Sequence, residues 1–260
     1  MSDTTYTLGP PVRPDIHHDN GFLDKYKRRP PTIADRLLLA KWKTMLEGGE
    51  AVQGVPLAPH NHLSDALAAY RHFLYGKGQD RTINYERYVA NDPSGKSLLD
   101  YAILDARTGA EILYDSNFKG TSARFQMTGT AMSVGGSDIR FPYPATENWQ
   151  KALGGHDIWI SAEVNVLAGK SGLEFTMTMT IHAEDMYNFN PGAHDIATGI
   201  PDAANGIFEV TGLATQYMNY GTLVRKITWN GTTPAGHAVE GAPGGRLRQP
   251  SDNRRLRNKV

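Results

Sequence analysis

Two stretches near the middle of the chain, residues 157–166 and 175–182, alternate apolar and polar residues with a period of two. This alternation predicts strands that bury one face and leave the other face polar. The run Gly-Lys-Ser-Gly at 169–172 lies between them and favours a turn. We therefore predict an antiparallel hairpin that contributes these side chains to a core: Ile158, Ile160, Ala162, Val164, Val166, Phe175, Met177, Met179 and Ile181.

Shorter patterns of the same kind flank this hairpin. Runs rich in β-branched and aromatic residues, bounded by turn-forming residues, are typical of strands. On this basis strands are predicted at residues 82–89, 98–104, 111–114, 123–128 and 222–229, with a turn at 107–109.

Helical patterns dominate the first part of the chain. Apolar residues recur near helical spacing from Thr32 to Glu47, and Gly48-Gly49 is expected to end this helix. Thr32 is a suitable N-cap. A second helix is predicted from Ser64 to Tyr75, and a short one at 211–216. Together these elements predict an α+β fold, in which N-terminal helices pack on a curved antiparallel β-sheet or open β-barrel.

Composition divides the chain into four segments. Residues 1–31 contain five prolines and the basic run 25–29, which is typical of a flexible, extended arm. A helical segment at 32–62 and a folded domain at 63–235 follow. Residues 236–260 carry five arginines and one lysine, and predict a disordered basic tail. Such a tail is either simply solvated or attracts anionic lipid or nucleic acid.

Charge and cysteine content narrow the possible functions. The 27 basic and 27 acidic residues balance, so we predict no specific nucleic-acid partner. The absence of cysteine means that the fold needs no disulfide and suits both reducing and oxidising compartments. The sequence has no apolar run that could span a membrane and no signal-peptide pattern, so we expect synthesis in the cytoplasm followed by secretion or delivery.

Acidic, aromatic and histidine side chains are crowded where the second hairpin strand ends. The strand leads into Asp185, Tyr187 and Asn188, and a turn-forming Asn-Pro-Gly run then precedes His194 and Asp195. A carboxylate can orient water or hold a cation, and an imidazole can act as a general acid or base near neutral pH. Loops on a rigid scaffold often carry such groups. The alternative is a solvated rim with an Asx-turn and a helix cap.

The spacing of these residues resembles a known catalytic motif. Asp-x-Tyr-Asn at 185–188, followed five residues later by His194, is similar to the Asp-x-Tyr-Asp, five residues, His-Arg motif of the colicin M family of bacteriocins. Residues 66–78 resemble the helix that enters the catalytic domain of that family, with its aromatic-rich end and Gly-x-Gly exit. The folded domain at 63–235 is therefore interpreted as a colicin M-like catalytic domain.

The resemblance implies an antibacterial toxin that hydrolyses lipid II, the undecaprenyl-linked peptidoglycan precursor, between the lipid and the pyrophosphate. It also implies a divalent cation, usually magnesium, which prefers carboxylate and phosphate oxygens and would neutralise charge on the phosphate. The catalytic residues predicted in this way are Asp185, Tyr187, Asn188, His194 and Asp195. The predicted metal ligands are Asp185 and Asp202.

Two positions differ from the family motif. Asn188 stands where the family has its second aspartate, and Asp195 stands where it has an arginine. An amide can orient or coordinate but cannot take a proton. The carboxylates that could take over this role are Glu184, Asp195 and Asp202. Arg225 or Lys226 would replace the missing cation in substrate binding, because such side chains bind phosphate oxygens.

The resemblance also implies partners and a place of action. An immunity protein would protect the producing cell, and export or import machinery would deliver the toxin to the periplasm of the target cell. Residues 3–8 resemble the import box near the N-terminus of colicins. Two alternatives are kept: a non-catalytic toxin or secretion-system cargo with the same fold, and a structural adaptor of a bacterial particle that docks through its arm and tail.

Overall fold

The computed structural model describes residues 4–170, 172–195 and 199–231, so the predicted tail at 236–260 lies outside the described residues. In chain order the elements are β1 (Tyr6–Leu8), α1 (Phe22–Lys25), α2 (Ile33–Ala51), α3 (Ser64–Tyr75), β2 (Arg81–Thr82), α4 (Tyr85–Asn91), α5 (Pro93–Asn117), β3 (Ala123–Gly129), β4 (Met132–Val134), α6 (Glu147–Ala152), β5 (His156–Gly169), β6 (Gly172–Tyr187), α7 (Ala203–Thr211) and β7 (Tyr217–Asn230). None of these helices has the length and apolar character needed to cross a membrane.

The strands form one open sheet in the order β1-β3-β5-β6-β7-β2, with β4 paired to β5. The sheet is mixed, because β2 runs parallel to β7 while the other described pairs are antiparallel. Helix α5 contacts one face of it. The predicted α+β class is confirmed, and the sheet is not closed into a barrel.

The β5–β6 hairpin forms as predicted and lies at the centre of the sheet. Its register pairs Gly169 with Gly172 beside the turn and Ile160 with Ile181 farther along. The nine side chains predicted to enter the core from this hairpin are all at most 5% exposed. Removal of this apolar area from water stabilises the fold, and it fixes the register because a shift by one residue would expose the whole set.

The region before β3 is helical where strands were predicted. The strand predictions at 82–89, 98–104 and 111–114 and the turn at 107–109 are wrong. Helix α5 is capped at its N-terminus, because the Asp92 carboxylate accepts hydrogen bonds from the N–H groups of Ser94 and Gly95 at 2.9 and 3.3 Å. Pro93 adds to this signal, since its fixed φ suits the first turn of a helix.

Gly109 lies inside α5 because an aromatic ring packs directly on it. A Cβ placed at Gly109 would lie 2.3 Å from Cδ2 of Tyr6 in β1. The Tyr6 hydroxyl also donates a hydrogen bond to Asp105 of the same helix at 2.9 Å. The glycine therefore marks a contact between a helix and a strand, and not a turn.

Helix α2 begins as predicted and ends later. Thr32 and Asp35 form a capping box at its start. The helix continues through Gly48 and Gly49, although glycine costs roughly 1 kcal/mol relative to alanine in a helix. A Cβ at Gly49 would lie 3.1 Å from Cδ2 of Leu67, so this glycine allows α3 to pack closely. Helix α3 has its predicted bounds.

The helix predicted at 211–216 is also misplaced. Helix α7 occupies residues 203–211, so it shares only Thr211 with the predicted helix, and it ends at Gly212 with φ of 68°. Glycine adopts this left-handed conformation without steric cost and commonly ends helices. The closing strand β7 is confirmed, and it begins earlier than predicted, at Tyr217.

The N-terminal segment packs on the sheet where a flexible arm was expected. Strand β1 pairs with β3, and Ile16 is buried against Trp159 and Ala131. The guanidinium of Arg13 forms two hydrogen bonds with Glu184 of β6, at 2.6 and 2.9 Å. The prolines of this segment therefore favour an extended backbone that lies over the sheet.

Candidate active site

The end of β6 delivers the first motif residues to the core side of the sheet. Because side chains alternate along a strand, Asp185 and Tyr187 share the face of the buried Ile181. The Tyr187 ring stacks on Tyr217 of β7 with 5.0 Å between ring centroids. The Asp185 carboxylate is 1% exposed and accepts a hydrogen bond from the Asn219 amide at 3.5 Å.

The loop after β6 turns back on itself and sends neighbouring motif residues in opposite directions. Backbone hydrogen bonds from Asp195 to Ile200 and from Asp202 to Ala193, each 2.9 Å long, hold its two sides together. Neighbouring residues in such a bridge face opposite sides. Asp195 therefore lines one cavity, and His194 lines a separate depression with five other loop and α7 residues.

The cavity lies between α2, α3 and this loop and has a volume of about 360 Å³. Its walls are mainly apolar and include Trp42, Met45, Leu46, Leu63, Leu67, Tyr70, Phe189 and Ile200. Polar groups are contributed by His60, Lys151, Asn188, Asp195, Asp202 and Asn205. A largely apolar cavity of this size with a few converging polar groups is typical of a small-molecule site.

The cavity gathers part of the predicted site. Tyr187, Asn188, Asp195 and Asp202 all line it, although they span the end of a strand and both sides of a loop. Asp185 and His194 are not among its lining residues. The motif residues therefore divide between the cavity and its immediate surroundings.

Asn188 contacts a carboxylate from the N-terminal segment. Its amide donates hydrogen bonds to the backbone oxygen of Asp19 at 2.7 Å and to the Asp19 carboxylate at 2.9 Å. The same carboxylate accepts a hydrogen bond from the N–H of Gly21 at 2.8 Å. Asp19 thus places a negative charge beside Asn188, the position where the family motif has an aspartate. Nothing in the spacing of the motif indicated Asp19.

Lys151 is the cation that the structure brings to the cavity. Its ammonium lies 3.4 Å from Asp195 and 2.5 Å from Glu147, one turn earlier on α6. Burial favours a higher pKa for Glu147, but hydrogen bonds from Lys151 and His60 hold that pKa below its usual value. The Glu147–Lys151 spacing of four residues on a short helix was the available sequence signal.

Arg225 and Lys226, the predicted phosphate-binding residues, lie far from the cavity. Arg225 is opposite Met179 in the β6–β7 register, whereas Asn219 is opposite Asp185. Six residues of extended strand separate these two levels, a distance of about 20 Å. The Arg225 guanidinium instead pairs with Glu86, with contacts of 2.8 and 2.9 Å.

Tyr70 on α3 is a further polar group in the cavity wall that the motif did not indicate. Its hydroxyl donates a hydrogen bond to the side-chain oxygen of Asn205 at 2.6 Å. Burial, reinforced by the nearby Tyr187, raises the pKa of Tyr70 far above its usual value. Tyr70 is therefore a neutral hydrogen-bond donor at any physiological pH.

Glu184, one of the suggested replacements for the missing carboxylate, lies on the opposite face of the sheet. It pairs with Arg13 and with the imidazole of His18, at 2.6 and 3.0 Å. Burial would raise the pKa of Glu184, but the hydrogen bonds from His18 and Arg13 lower it. Asp195 and Asp202, the other suggested replacements, do line the cavity.

The carboxylates suit magnesium in kind, since it prefers oxygen ligands. Among the residues that the structure describes, no group of three or more histidine or acidic side chains is assembled to hold a metal ion. The described residues therefore offer carboxylates without a complete protein coordination shell. Magnesium is commonly held by one or two carboxylates together with phosphate oxygens of the substrate.

Comparison with solved structures finds bacteriocins. PaeM, a colicin M-like bacteriocin produced by Pseudomonas aeruginosa, is 16% identical over 68% of this chain with a TM-score of 0.35. Pectocin M2 is 21% identical over 74% of this chain with a TM-score of 0.35. Syringacin M, a bacteriocin from Pseudomonas syringae pv. tomato DC3000, is 15% identical over 64% with a TM-score of 0.36.

The match covers 57%, 64% and 52% of the length of these three structures, less than two thirds of each. No protein-family model matches the chain, and no curated protein matches it significantly. PaeM is described as colicin M-like, and the sequence motifs of this chain resemble the same family. These TM-scores describe a loose similarity, so the roles proposed for individual residues depend on the motif and the geometry of this chain.

Proposed function

We propose that this protein is an antibacterial toxin that hydrolyses lipid II at the bond between undecaprenol and the pyrophosphate. The observation that carries this proposal is the position of the apolar cavity directly beside motif residues. Tyr187, Asn188, Asp195 and Asp202 share one cavity with a wall of large apolar side chains. A molecule that joins a hydrocarbon chain to a phosphate satisfies both halves of such a site.

In this proposal the apolar walls hold the isoprene units nearest to the phosphate. A cavity of about 360 Å³ is too small for the whole undecaprenyl chain, so the rest would stay in the bilayer. Lys151 would face the phosphate oxygens, since an ammonium attracts them and already lies at the polar edge of the cavity. Tyr70 would stay neutral and hold Asn205 in the cavity wall through its hydrogen bond.

The chemistry is the attack of water on phosphorus, with undecaprenol as the leaving group. Asp195 and Asp202, the carboxylates that line the cavity, would orient water or hold a cation there. Asp185 and His194 lie outside the cavity lining, so their predicted roles, as cation or water ligand and as general base or acid, stay predictions. Magnesium, when bound by Asp185, Asp202 and substrate oxygens, would neutralise charge on the phosphate. Asn188 would orient a group in the site through its amide, because it cannot exchange a proton.

The biological setting follows from this activity. The toxin would act in the periplasm of the target cell, and an immunity protein would protect the producer. Export or import machinery would recognise a segment of the chain, and residues 3–8 are the proposed import box. The described part of that segment includes β1, which is paired with β3. Recognition of this segment as an added strand by another protein would therefore require its release from β3.

Incubation of the purified full chain with lipid II tests the proposal. Release of undecaprenol and the pyrophosphorylated disaccharide-peptide is followed by mass spectrometry, with magnesium and with a chelator. We expect magnesium-dependent release by the wild type and its loss in Asp185→Asn and Asp202→Asn. Asp100→Asn, at an exposed acid on α5, is the matched control and should retain activity. Absence of cleavage by well-folded protein would favour a non-catalytic toxin or cargo instead.

A further inference from the structure

Helix α2 carries large apolar side chains on its solvent face. Ile33 is 80% exposed, Leu37 is 67% exposed and Met45 is 46% exposed. These positions are separated by four and eight residues, so they share one side of the helix. The opposite side is packed into the protein through residues such as Leu46. A helix that exposes apolar residues on its outer side normally has a partner there.

The loop after α2 also exposes apolar side chains. Val55 is 46% exposed, and Leu57 is fully exposed with a positive φ of 66°. Few residues other than glycine adopt that conformation, and for a bulky side chain it is unusual. The loop therefore holds a leucine in solvent where neither burial nor backbone preference accounts for it. The term "α2 surface" is used here for Ile33, Leu37, Met45, Val55 and Leu57.

Cations accompany the α2 surface. Residues 25–57 contain seven lysines and arginines and three acids, Asp35, Glu47 and Glu50, whereas the whole chain is neutral. Asp35 pairs with Arg29, and Glu50 pairs with Arg71 of α3. Arg36 and Lys41 lie on α2 among the exposed apolar residues. The surface thus combines positive charge with exposed hydrocarbon.

The α2 surface adjoins the mouth of the cavity. Met45 belongs to both, and the neighbouring Trp42 lines the cavity. His60, three residues after Leu57 in the same loop, also lines it. A flat partner that covered the α2 surface would therefore lie against the cavity entrance.

We propose that the α2 surface docks the protein on an anionic phospholipid bilayer, with the cavity opening toward the lipid. Charge complementarity selects this partner, because the basic segment 25–29 leads directly into the apolar-faced helix α2, and the two together gain from anionic headgroups and from acyl chains. Ile33, Leu37 and Leu57 enter the headgroup region, and Arg36 and Lys41 contact lipid phosphates. Docking does not depend on the proposed hydrolysis, since it requires no chemical step.

Flotation of the full chain with lipid vesicles tests this docking. Vesicles of phosphatidylethanolamine and phosphatidylglycerol are compared with vesicles of phosphatidylcholine alone. We expect binding to the anionic vesicles that weakens as salt is raised, and much weaker binding to the neutral ones. Equal binding to both vesicle types, or binding to neither, would overturn the proposal. So would a concentration-dependent dimer that is lost in Ile33→Gln/Leu37→Gln, because it would make a second copy the occupant.

Paired variants separate the two contributions. Ile33→Gln/Leu37→Gln should weaken the partition coefficient about tenfold or more, because two apolar side chains leave the lipid. Arg36→Gln/Lys41→Gln should weaken it by up to about fivefold for each cation. Ile112→Gln/Ile139→Gln changes residues that are 57% and 67% exposed outside the α2 surface, and should bind as the wild type does. Equal loss in this control would show that the binding is not specific to α2.

The vesicle result and the hydrolysis result can fail separately. The Ile33→Gln/Leu37→Gln variant should cleave detergent-solubilised lipid II at the wild-type rate, if the wild type cleaves it, and should lose activity only toward lipid II embedded in vesicles. Normal flotation with no cleavage would leave docking intact and remove the enzyme proposal. Cleavage of solubilised lipid II without flotation would support the enzyme proposal and overturn docking.

Discussion

Two motif positions that depart from the colicin M pattern each contact a charged side chain from elsewhere in the chain. Asn188 donates to Asp19, which is 169 positions away in sequence. Asp195 pairs with Lys151 of α6. A carboxylate therefore lies beside Asn188 and a cation beside Asp195, although neither is at its motif position. We interpret each departure as compensated: the charge that the motif residue would carry is supplied by a neighbouring side chain, Asp19 or Lys151.

Replacement of Lys151 tests the assignment of the cation. Lys151→Gln should lower kcat/KM for lipid II by about tenfold, or roughly 1.4 kcal/mol of transition-state stabilisation, because the ammonium no longer faces the phosphate. Lys226→Gln removes an exposed cation of β7 and should leave kcat/KM unchanged. Equal effects of the two substitutions would contradict the assignment.

The contact between Asn188 and Asp19 predicts an unusual result for the substitution that restores the motif. Asn188→Asp should lower the free energy of unfolding by about 1–3 kcal/mol, because two donated hydrogen bonds are lost at a buried position. The new carboxylate would also face that of Asp19. Chemical denaturation measures the change.

A second substitution provides the control. Asp19→Asn in the Asn188→Asp background should recover part of the lost stability, since it removes one of the two like charges and supplies an amide donor. A double variant no more stable than Asn188→Asp alone would rule out repulsion between these two side chains as the cause.

At the scale of elements, periodicity was sufficient where one face of a strand is buried. The β5–β6 hairpin could be predicted because its alternation is long and uninterrupted. Helix α5 was missed because its short apolar runs fit either a strand or a buried helix, and because Arg-Thr-Gly at 107–109 is typical of a turn. The cap at Asp92-Pro93 was the contrary signal.

Only the part of the candidate site that belongs to the local motif could be predicted from the sequence. Sequence spacing identified Tyr187, Asn188 and Asp195 because they follow one strand. The cavity walls come from α2 and α3, and Lys151 comes from α6. No local pattern relates such distant segments, since only the folded packing brings them together.

Two glycines inside helices should respond oppositely to alanine. Gly109→Ala places a Cβ 2.3 Å from the Tyr6 ring, so it should destabilise the protein by about 1–3 kcal/mol by displacing β1. A Cβ at Gly48 meets nothing within 4 Å, so Gly48→Ala should stabilise α2 by about 0.5–1 kcal/mol. Thermal unfolding of both variants measures the contrast, and destabilisation by both would contradict these packing assignments.

At the scale of the whole molecule, the N-terminal segment ties the edge of the sheet to the candidate site. It pairs with β3 through β1, contacts Glu184 of β6 through Arg13 and His18, and reaches Asn188 through Asp19. The segment therefore covers the face of the sheet opposite the core. Asp157, at 2% exposure, lies beneath it and accepts a hydrogen bond from Ser133 at 2.5 Å.

This cluster predicts that stability falls as pH rises. Burial, with the charges of Asp185 and Glu184, raises the pKa of Asp157 to about 7, so the folded state holds a proton that an unfolded chain would release at lower pH. Burial lowers the pKa of His18. The hydrogen bond to Glu184 and the charges of nearby acids outweigh this effect, so the pKa of His18 is raised. Its stabilising contribution is present below the unfolded pKa and lost as pH rises through the folded one.

Both groups therefore act in the same direction between about pH 5 and pH 8. We expect Tm to decrease by several degrees across this range, since roughly 1 kcal/mol corresponds to about 2–4 °C for a chain of this size. Asp157→Asn keeps an oxygen that can accept the Ser133 hydrogen bond and removes the ionisation. It should flatten the decrease, and an unchanged slope would contradict the role assigned to Asp157.

The most direct measurement of the central claim compares lipid II with an analogue that carries a methyl group in place of the undecaprenyl chain. Cleavage of each is followed in detergent with magnesium, as release of the pyrophosphorylated disaccharide-peptide. If the apolar cavity beside Tyr187 holds the isoprene chain, kcat/KM for lipid II should exceed that for the analogue by at least about tenfold, because the analogue forgoes apolar burial. Equal kcat/KM values would contradict the role of the cavity, and cleavage of neither substrate would contradict the proposed activity itself.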